Sequence, residues 1–263
     1  MIRRTALLLA TVLGFTLTAA LLPTPAAALP LVAEPRILML GDSITWQVCT
    51  DRLMRYGDDA PQYLKDRDGG CYGWSGATTA DMSFMVGGGR FLSNGPGQPH
   101  PKFDERGQTN PWSVREAIDR ADVLVMGLGT NDSGRGCPSS EPSPWPVQIP
   151  DQMGNTFSPC GQTPAEFRQQ IEFYVWLAQG RPVFWFDIAV TNPSDPAYAR
   201  QQDYNDVIWG SAGRHPNFHP IAWARAVAAH PTWLRADGVH LNSPAGNQGR
   251  YSTLMAALRG CGY

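Results

Sequence analysis

The chain has 263 residues, of which 43% are hydrophobic, 17% charged and 10% aromatic, and 21 Lys plus Arg against 23 Asp plus Glu give a net charge of −2. That composition excludes a disordered tail, a collagen-like repeat and a coiled coil. With no basic excess to neutralise a phosphate backbone, no nucleic acid is expected as a partner. The length is sufficient for one sizeable α/β core.

Arg3 and Arg4 precede an apolar run that continues to Leu22 and ends in Pro23 and the small residues Ala26-Ala27-Ala28. A charged start, an apolar middle and an A-x-A end predict a secretory signal peptide over residues 1–28, cleaved after Ala28. The alternative is a retained anchor, because Thr5 to Leu22 nearly spans a bilayer. Cleavage leaves 29–263 as a single domain with no membrane span, secreted or held in the cell envelope. In that setting Cys49, Cys71, Cys137, Cys160 and Cys261 are expected to form disulfides rather than bind metal. None lies in a C-x-x-C or Cys/His spacing. Cys49–Cys71 and Cys137–Cys160 are the expected pairs.

The first apolar run, Arg36 to Leu40, stops abruptly at Gly41-Asp42-Ser43 and predicts a buried strand running into a tight turn. Gly73-Trp74-Ser75-Gly76-Ala77 follows; it approximates the Gly-x-Ser-x-Gly elbow of α/β-hydrolases, but ends in Ala and has no apolar strand before it. A second apolar run, Val123 to Leu128, stops at Gly129-Thr130-Asn131-Asp132. The Pro-rich stretch from Ser133 to Gln162 exceeds an ordinary connection and reads as a functional or disulfide-pinned loop. Thr163-Pro164-Ala165-Glu166 is a capping box, and Phe167, Ile171, Tyr174 and Ala178 continue from it with helical spacing. A third apolar run, Pro182 to Phe186, stops at Asp187, and Ser243-Pro244 opens a last helix carrying Tyr251, Leu254 and Leu258 on one face. Strands without apolar/polar alternation, separated by helices, predict a three-layer α/β/α domain with a mostly parallel central sheet.

Ligands of open α/β sheets collect outside the carboxyl ends of the strands. Ser43 and Asn131 are predicted there, and Asp237-Gly238-Val239-His240 lies in a loop near the C-terminus. A serine, an amide donor, a carboxylate and an imidazole are the groups that nucleophilic acyl transfer needs. Asn131-Asp132-Ser133 also matches a glycosylation sequon, read here as coincidence because it overlaps this cluster. His100, His215, His219 and His230 read as structural or surface residues, and Trp46 and Trp74 are candidates for lining a pocket.

Gly41-Asp42-Ser43-Ile44, Trp74-Ser75-Gly76-Ala77-Thr78, Gly129-Thr130-Asn131-Asp132 and Asp237-Gly238-Val239-His240 resemble, in order, the four blocks of the SGNH/GDSL hydrolase family. The resemblance covers Gly41 to His240 and implies the flavodoxin-like fold of that family. It implies Ser43 as nucleophile, His240 as general base and Asp237 as its orienter, with Ser43, Gly76 and Asn131 forming the oxyanion hole. It further implies an esterase with no metal and no organic cofactor. Its substrates would be small acyl esters, acylated carbohydrates or lipids; short-acyl or carbohydrate esters are favoured over lipids because no long apolar lid segment follows the signal peptide. A cell-envelope O-acyltransferase would use the same triad. A non-catalytic binding protein on this scaffold would show a damaged site, and these blocks are intact.

Overall fold

Five strands pair side by side and all in parallel: β1 (Ile37–Gly41), β2 (Cys71–Gly73), β3 (Val123–Gly127), β4 (Val183–Phe186) and β5 (Phe218–Ile221). Their order in the sheet is β2-β1-β3-β4-β5, so the chain steps from β1 to β2 on one side and then returns past β1 to β3 on the other. The crevice at that reversal, beyond the carboxyl ends of β1 and β3, is where this class of sheet binds ligands. The computed structural model describes residues 35–50, 70–73, 76–87, 114–134, 149–150, 156–157 and 163–263. All of these residues belong to one compact unit.

Strand side chains alternate between two cores, as the period of two requires. Leu38, Leu40, Leu124, Met126 and Trp185 face one cluster, while Ile37, Met39, Val123, Val125, Phe184 and Phe186 face the other. The first cluster is closed by α2 (Thr79–Val86), α3 (Val114–Arg120), α5 (Pro164–Ala178) and α6 (Pro196–Ala212). The second is closed by α1 (Ser43–Thr50), α7 (Trp223–Ala229) and α8 (Ala245–Gly260). This is the expected three-layer α/β/α arrangement. Between α3 and α5 lie β3 and a short α4 (Thr130–Gly134).

The helix expected after Thr163 runs from Pro164 to Ala178, 15 residues. Its capping box is complete: the Glu166 N–H donates to Thr163 Oγ1 at 3.2 Å and the Thr163 N–H to Glu166 Oε2 at 2.7 Å. Phe167, Ile171, Tyr174 and Ala178 form its buried stripe; truncating a phenylalanine in such a position costs about 3–5 kcal/mol. Phe167 meets Trp185 edge to face at 5.9 Å. The Trp185 indole N–H donates to the Leu128 carbonyl at 2.9 Å and so fixes the chain just past β3, where the Gly129–Asp132 block begins.

At the carboxyl edge, Gly73, Gly41 and Gly127 stand in register on three neighbouring strands. The row lets α1 lie close on the strand ends. A Cβ at Gly41 would sit 1.9 Å from Thr45 Oγ1, one at Gly73 would sit 2.6 Å from the Trp46 nitrogen, and one at Gly127 2.2 Å from Thr45 Oγ1. Only a row without side chains admits a helix at that height.

Two expectations need revision. The last helix starts at Ala245, with Pro244 as its cap after a cis Ser243–Pro244 bond, rather than at Ser243-Pro244 itself. The Gly73–Ala77 segment does have a strand before it, Cys71–Gly73, which carries no long apolar run because it is only 3 residues long. Cys49 and Cys71 are disulfide-bonded, joining α1 to β2, with Cα atoms 6.1 Å apart. The leader, Trp74, Ser75, His100 and the Cys137–Cys160 pair lie outside the described residues. Among the described residues no helix is long and apolar enough to cross a membrane.

Candidate active site

Ser43 is the first residue of α1 and is half-buried; a plain turn was expected there, but the helix starts at once. Asp42 explains the abrupt start. Its carbonyl accepts the Trp46 N–H at 2.9 Å, and its side-chain Oδ1 accepts the Ile44 N–H at 2.9 Å. The first is the helix's opening i→i−4 bond, and the second satisfies an N–H that a helix end would leave orphaned. Burial pushes the Asp42 carboxyl up to about 6, against the Ile44 hydrogen bond and the nearby Arg250 charge, which favour ionisation.

His240 reaches this serine from the C-terminal loop. Ser43 Oγ and His240 Nε2 are 3.0 Å apart, and His240 Nδ1 is 2.9 Å from Asp237 Oδ2. Asp237 Oδ1 accepts the backbone N–H groups of Val239 and His240, each at 2.9 Å. Partial burial works to raise the Asp237 carboxyl, yet these backbone bonds and the His240 ring outweigh it and hold it below the usual carboxylate range. An ionised carboxylate only accepts, so it selects the Nδ1–H tautomer and leaves the Nε2 lone pair facing the serine hydroxyl. Gly238 makes the tight turn at φ +71, with its carbonyl accepting the Thr191 N–H at 2.9 Å.

Asn131 lies on α4, just past β3. Its Nδ2 donates to Asp42 Oδ2 at 3.3 Å and to the Ala77 carbonyl at 3.1 Å, so it links the residue before Ser43 to the residue after Gly76. Gly76 adopts φ +79, a left-handed conformation that favours glycine. Asp132, fully buried, accepts the Thr79 N–H at 3.0 Å and the Thr79 hydroxyl at 2.6 Å, which ties the same turn to α4 again. Burial pushes the Asp132 carboxyl up to about 7, although the Thr79 bonds favour the ionised form.

The structure thus joins Ser43, His240 and Asp237 in one hydrogen-bonded chain and sets Asn131 between Asp42 and the Gly76 turn. Among the described residues, no group of three or more His, Cys, Asp or Glu side chains could hold a metal ion. The described bystander histidines have structural surroundings: His215 meets Glu172, His219 packs tilted against Phe184 at 4.9 Å, and His230 stacks on Trp233 at 4.2 Å. Trp46 packs against the first core cluster. Sequence reasoning missed Gln47, whose side-chain carbonyl accepts the Leu241 N–H at 3.0 Å, and Arg250, buried with its guanidinium 3.4 Å above the Phe186 ring. The four-residue step from Ser43 to Gln47 signals a shared face only once α1 is known to start at Ser43. A hydroxyl beside an oriented imidazole, at the positive end of a helix, has the parts needed to attack a carbonyl carbon and to stabilise the resulting oxyanion.

The model of the GDSL-like lipase/acylhydrolase family matches residues 39–248. No curated protein matches the chain. Among solved structures, a lipase/acylhydrolase from Enterococcus faecalis shares the fold with a TM-score of 0.51 at 17% identity, covering 85% of this chain and 95% of the other. A carbohydrate esterase family 3 protein from Talaromyces cellulolyticus gives 0.50 at 18% identity, covering 86% and 96%. The C-terminal catalytic domain of a peptidoglycan O-acetyltransferase from Streptococcus pneumoniae gives 0.50 at 13% identity, covering 86% and 94%.

Proposed function

The chain belongs to the GDSL-like lipase/acylhydrolase family, and from that premise we propose that it is an exported serine esterase that cleaves short-acyl or carbohydrate esters through an acyl-Ser43 intermediate. The observation that carries this reading is the continuous chain Ser43–His240–Asp237, with contacts of 3.0 and 2.9 Å. Export is supported by the charged, apolar and small-residue order of residues 1–28 and by the Cys49–Cys71 disulfide, which suits an oxidising compartment.

In this mechanism Ser43 Oγ attacks the ester carbonyl carbon as its proton passes to His240 Nε2, and the imidazolium is stabilised by Asp237. The negative charge on the former carbonyl oxygen is met by the N–H groups of Ser43 and Gly76 and by Asn131 Nδ2. Nδ2 already faces Ala77 and Asp42, so the oxyanion competes with these acceptors for its protons. Collapse breaks the bond to the alcohol, which leaves with the proton from His240. A water molecule, deprotonated by the same imidazole, then attacks the acyl-serine and releases the carboxylic acid.

The test is hydrolysis of p-nitrophenyl esters from acetyl to palmitoyl by the protein lacking its leader, with Ser43→Ala alongside. Turnover that falls beyond butyryl and is lost in Ser43→Ala by about 10⁴-fold or more is expected. Preference for long chains would replace the substrate class with lipids. Turnover appearing only with an added sugar acceptor would move the reading to O-acyl transfer, and none under either condition would leave a binding protein.

A further inference from the structure

The esterase reading needs His240 at a fixed height over Ser43, yet the hydrogen bond between them is broken and remade in every turnover and cannot itself set that height. Asp237 cannot set it either, since it sits three residues away in the same loop and moves with the ring. The Thr191–Gly238 bond ties the loop to the segment after β4, not to α1.

Gln47 lies on α1 four residues after Ser43 and is 8% exposed. Residues so spaced share a helix face. Its Oε1 accepts the Leu241 N–H across 194 residues of chain, and Leu241 is itself fully buried. That N–H belongs to the peptide plane that begins at the His240 carbonyl, and the same carbonyl accepts the Arg235 N–H at 2.8 Å. The plane is therefore pinned at both polar ends, once within its own loop and once to the helix that begins with Ser43.

We propose that Gln47 is a positioning residue: by holding the His240–Leu241 peptide plane against α1, it sets the distance and angle at which the His240 ring meets Ser43. In this role Gln47 acts on His240 through the backbone rather than on the reacting atoms. This rests on the esterase reading above.

The test compares Gln47→Met, which keeps length but removes the acceptor, with Gln47→Glu, which keeps an acceptor oxygen. A misplacement of about 1 Å costs on the order of 10²-fold in rate, so Gln47→Met is expected to lose about 10- to 100-fold in kcat on p-nitrophenyl acetate with KM within about twofold. Gln47→Glu is expected to recover most of that loss at the plateau of its pH profile. Ile208→Val, a buried change on α6 in the opposite layer, lowers Tm without touching the loop and is expected to leave kcat as it is. In the unaltered protein, the Leu241 amide is expected to exchange its hydrogen slowly. That measurement holds whether or not Gln47→Met folds. Wild-type kcat in Gln47→Met, equal losses in Gln47→Met and Gln47→Glu, or rapid exchange at Leu241 would each overturn the assignment. A wild-type protein that turns over no ester would instead overturn the esterase reading itself.

Discussion

The two halves of the site are built by different means. On the nucleophile side, Asp42 is 1% exposed and sits above a row of three glycines onto which α1 presses its Thr45 and Trp46. On the base side, the side chains of His240 and Asp237 are 36% and 45% exposed, and they are joined by hydrogen bonds within one four-residue turn. The nucleophile is thus located by close backbone packing in the middle of the sheet, where a displacement disturbs the core. The base has its tautomer set by local turn chemistry at the surface, where losing a side chain costs the fold little, and only its height over Ser43 depends on the buried Gln47–Leu241 bond. Activity and stability should therefore be coupled on the first side and separable on the second.

The largest effect that tests this is Asp237→Asn. Losing the carboxylate removes the preference for the productive tautomer, and kcat is expected to fall by about 10⁴-fold. Because the group is half exposed, unfolding free energy should change by less than about 1 kcal/mol. Next comes Asn131→Ala. It removes one oxyanion donor, worth about 10²–10³-fold in kcat, and also leaves the buried Asp42 Oδ2 without that amide, at a further cost of about 1–3 kcal/mol in stability. Parallel kinetics and urea titrations of the two variants read both quantities. If Asp237→Asn proved the more destabilised of the pair, the separation between the two sides would be wrong.

Gly41→Ala sharpens the packing half of the comparison. Its Cβ would lie 1.9 Å from Thr45 Oγ1 and 2.8 Å from the Gly127 carbonyl oxygen. Rotation can move the Thr45 hydroxyl, but neither Thr45 Cβ at 2.5 Å nor a strand carbonyl can yield that way, so overpacking of about 1–3 kcal/mol is expected. Activity should fall with it as α1 is lifted. Gly260→Ala is the contrast: at the end of α8 nothing lies within 4 Å of the added methyl, and exchanging glycine for alanine in a helix is worth about 0.5–1 kcal/mol in its favour. Thermal melts of the two variants should move in opposite directions.

These two sides were also unequally legible in the sequence. The apolar runs ending at Gly41, Gly129 and Asp187 gave three of the five strands, because strands buried on both faces carry dense local signals. The capping box at Thr163 located its helix to the residue, because cap chemistry is local too. Cys71–Gly73 and Phe218–Ile221 were not visible: one is 3 residues long, and the other reads FHPI, with a proline and a histidine that suit an edge strand and break any apolar run. The four polar blocks located the candidate residues. What brings them together was not legible, since the glycine row exists only through strand register and the Gln47 bond spans 194 residues. Periodicity and spacing report what a residue's near neighbours require, whereas these contacts are set by how the sheet is assembled.

The smallest effect is a slope. Burial raises the Asp132 carboxyl to about 7, while in the unfolded chain an aspartate ionises near pH 3.9. Between roughly pH 4 and 7 the folded protein therefore holds a proton that the unfolded chain has released, and stability contributed by this group falls as pH rises, by at most about 1.4 kcal/mol per pH unit. Asp42, raised to about 6, acts in the same direction. Asp237 on the base side acts in the opposite one: its carboxyl lies below the usual range, so its contribution is complete above the unfolded pKa and is lost on acidification through the folded one. Asp132→Asn should thus flatten the fall in Tm from pH 4 to 7, and Asp237→Asn should flatten the fall below pH 4. Melting curves across that range read both. A wild-type Tm that rose from pH 4 to 7 relative to Asp132→Asn would mean that the Thr79 hydrogen bonds, rather than burial, dominate the Asp132 carboxyl, which would then be ionised across that range instead of titrating within it.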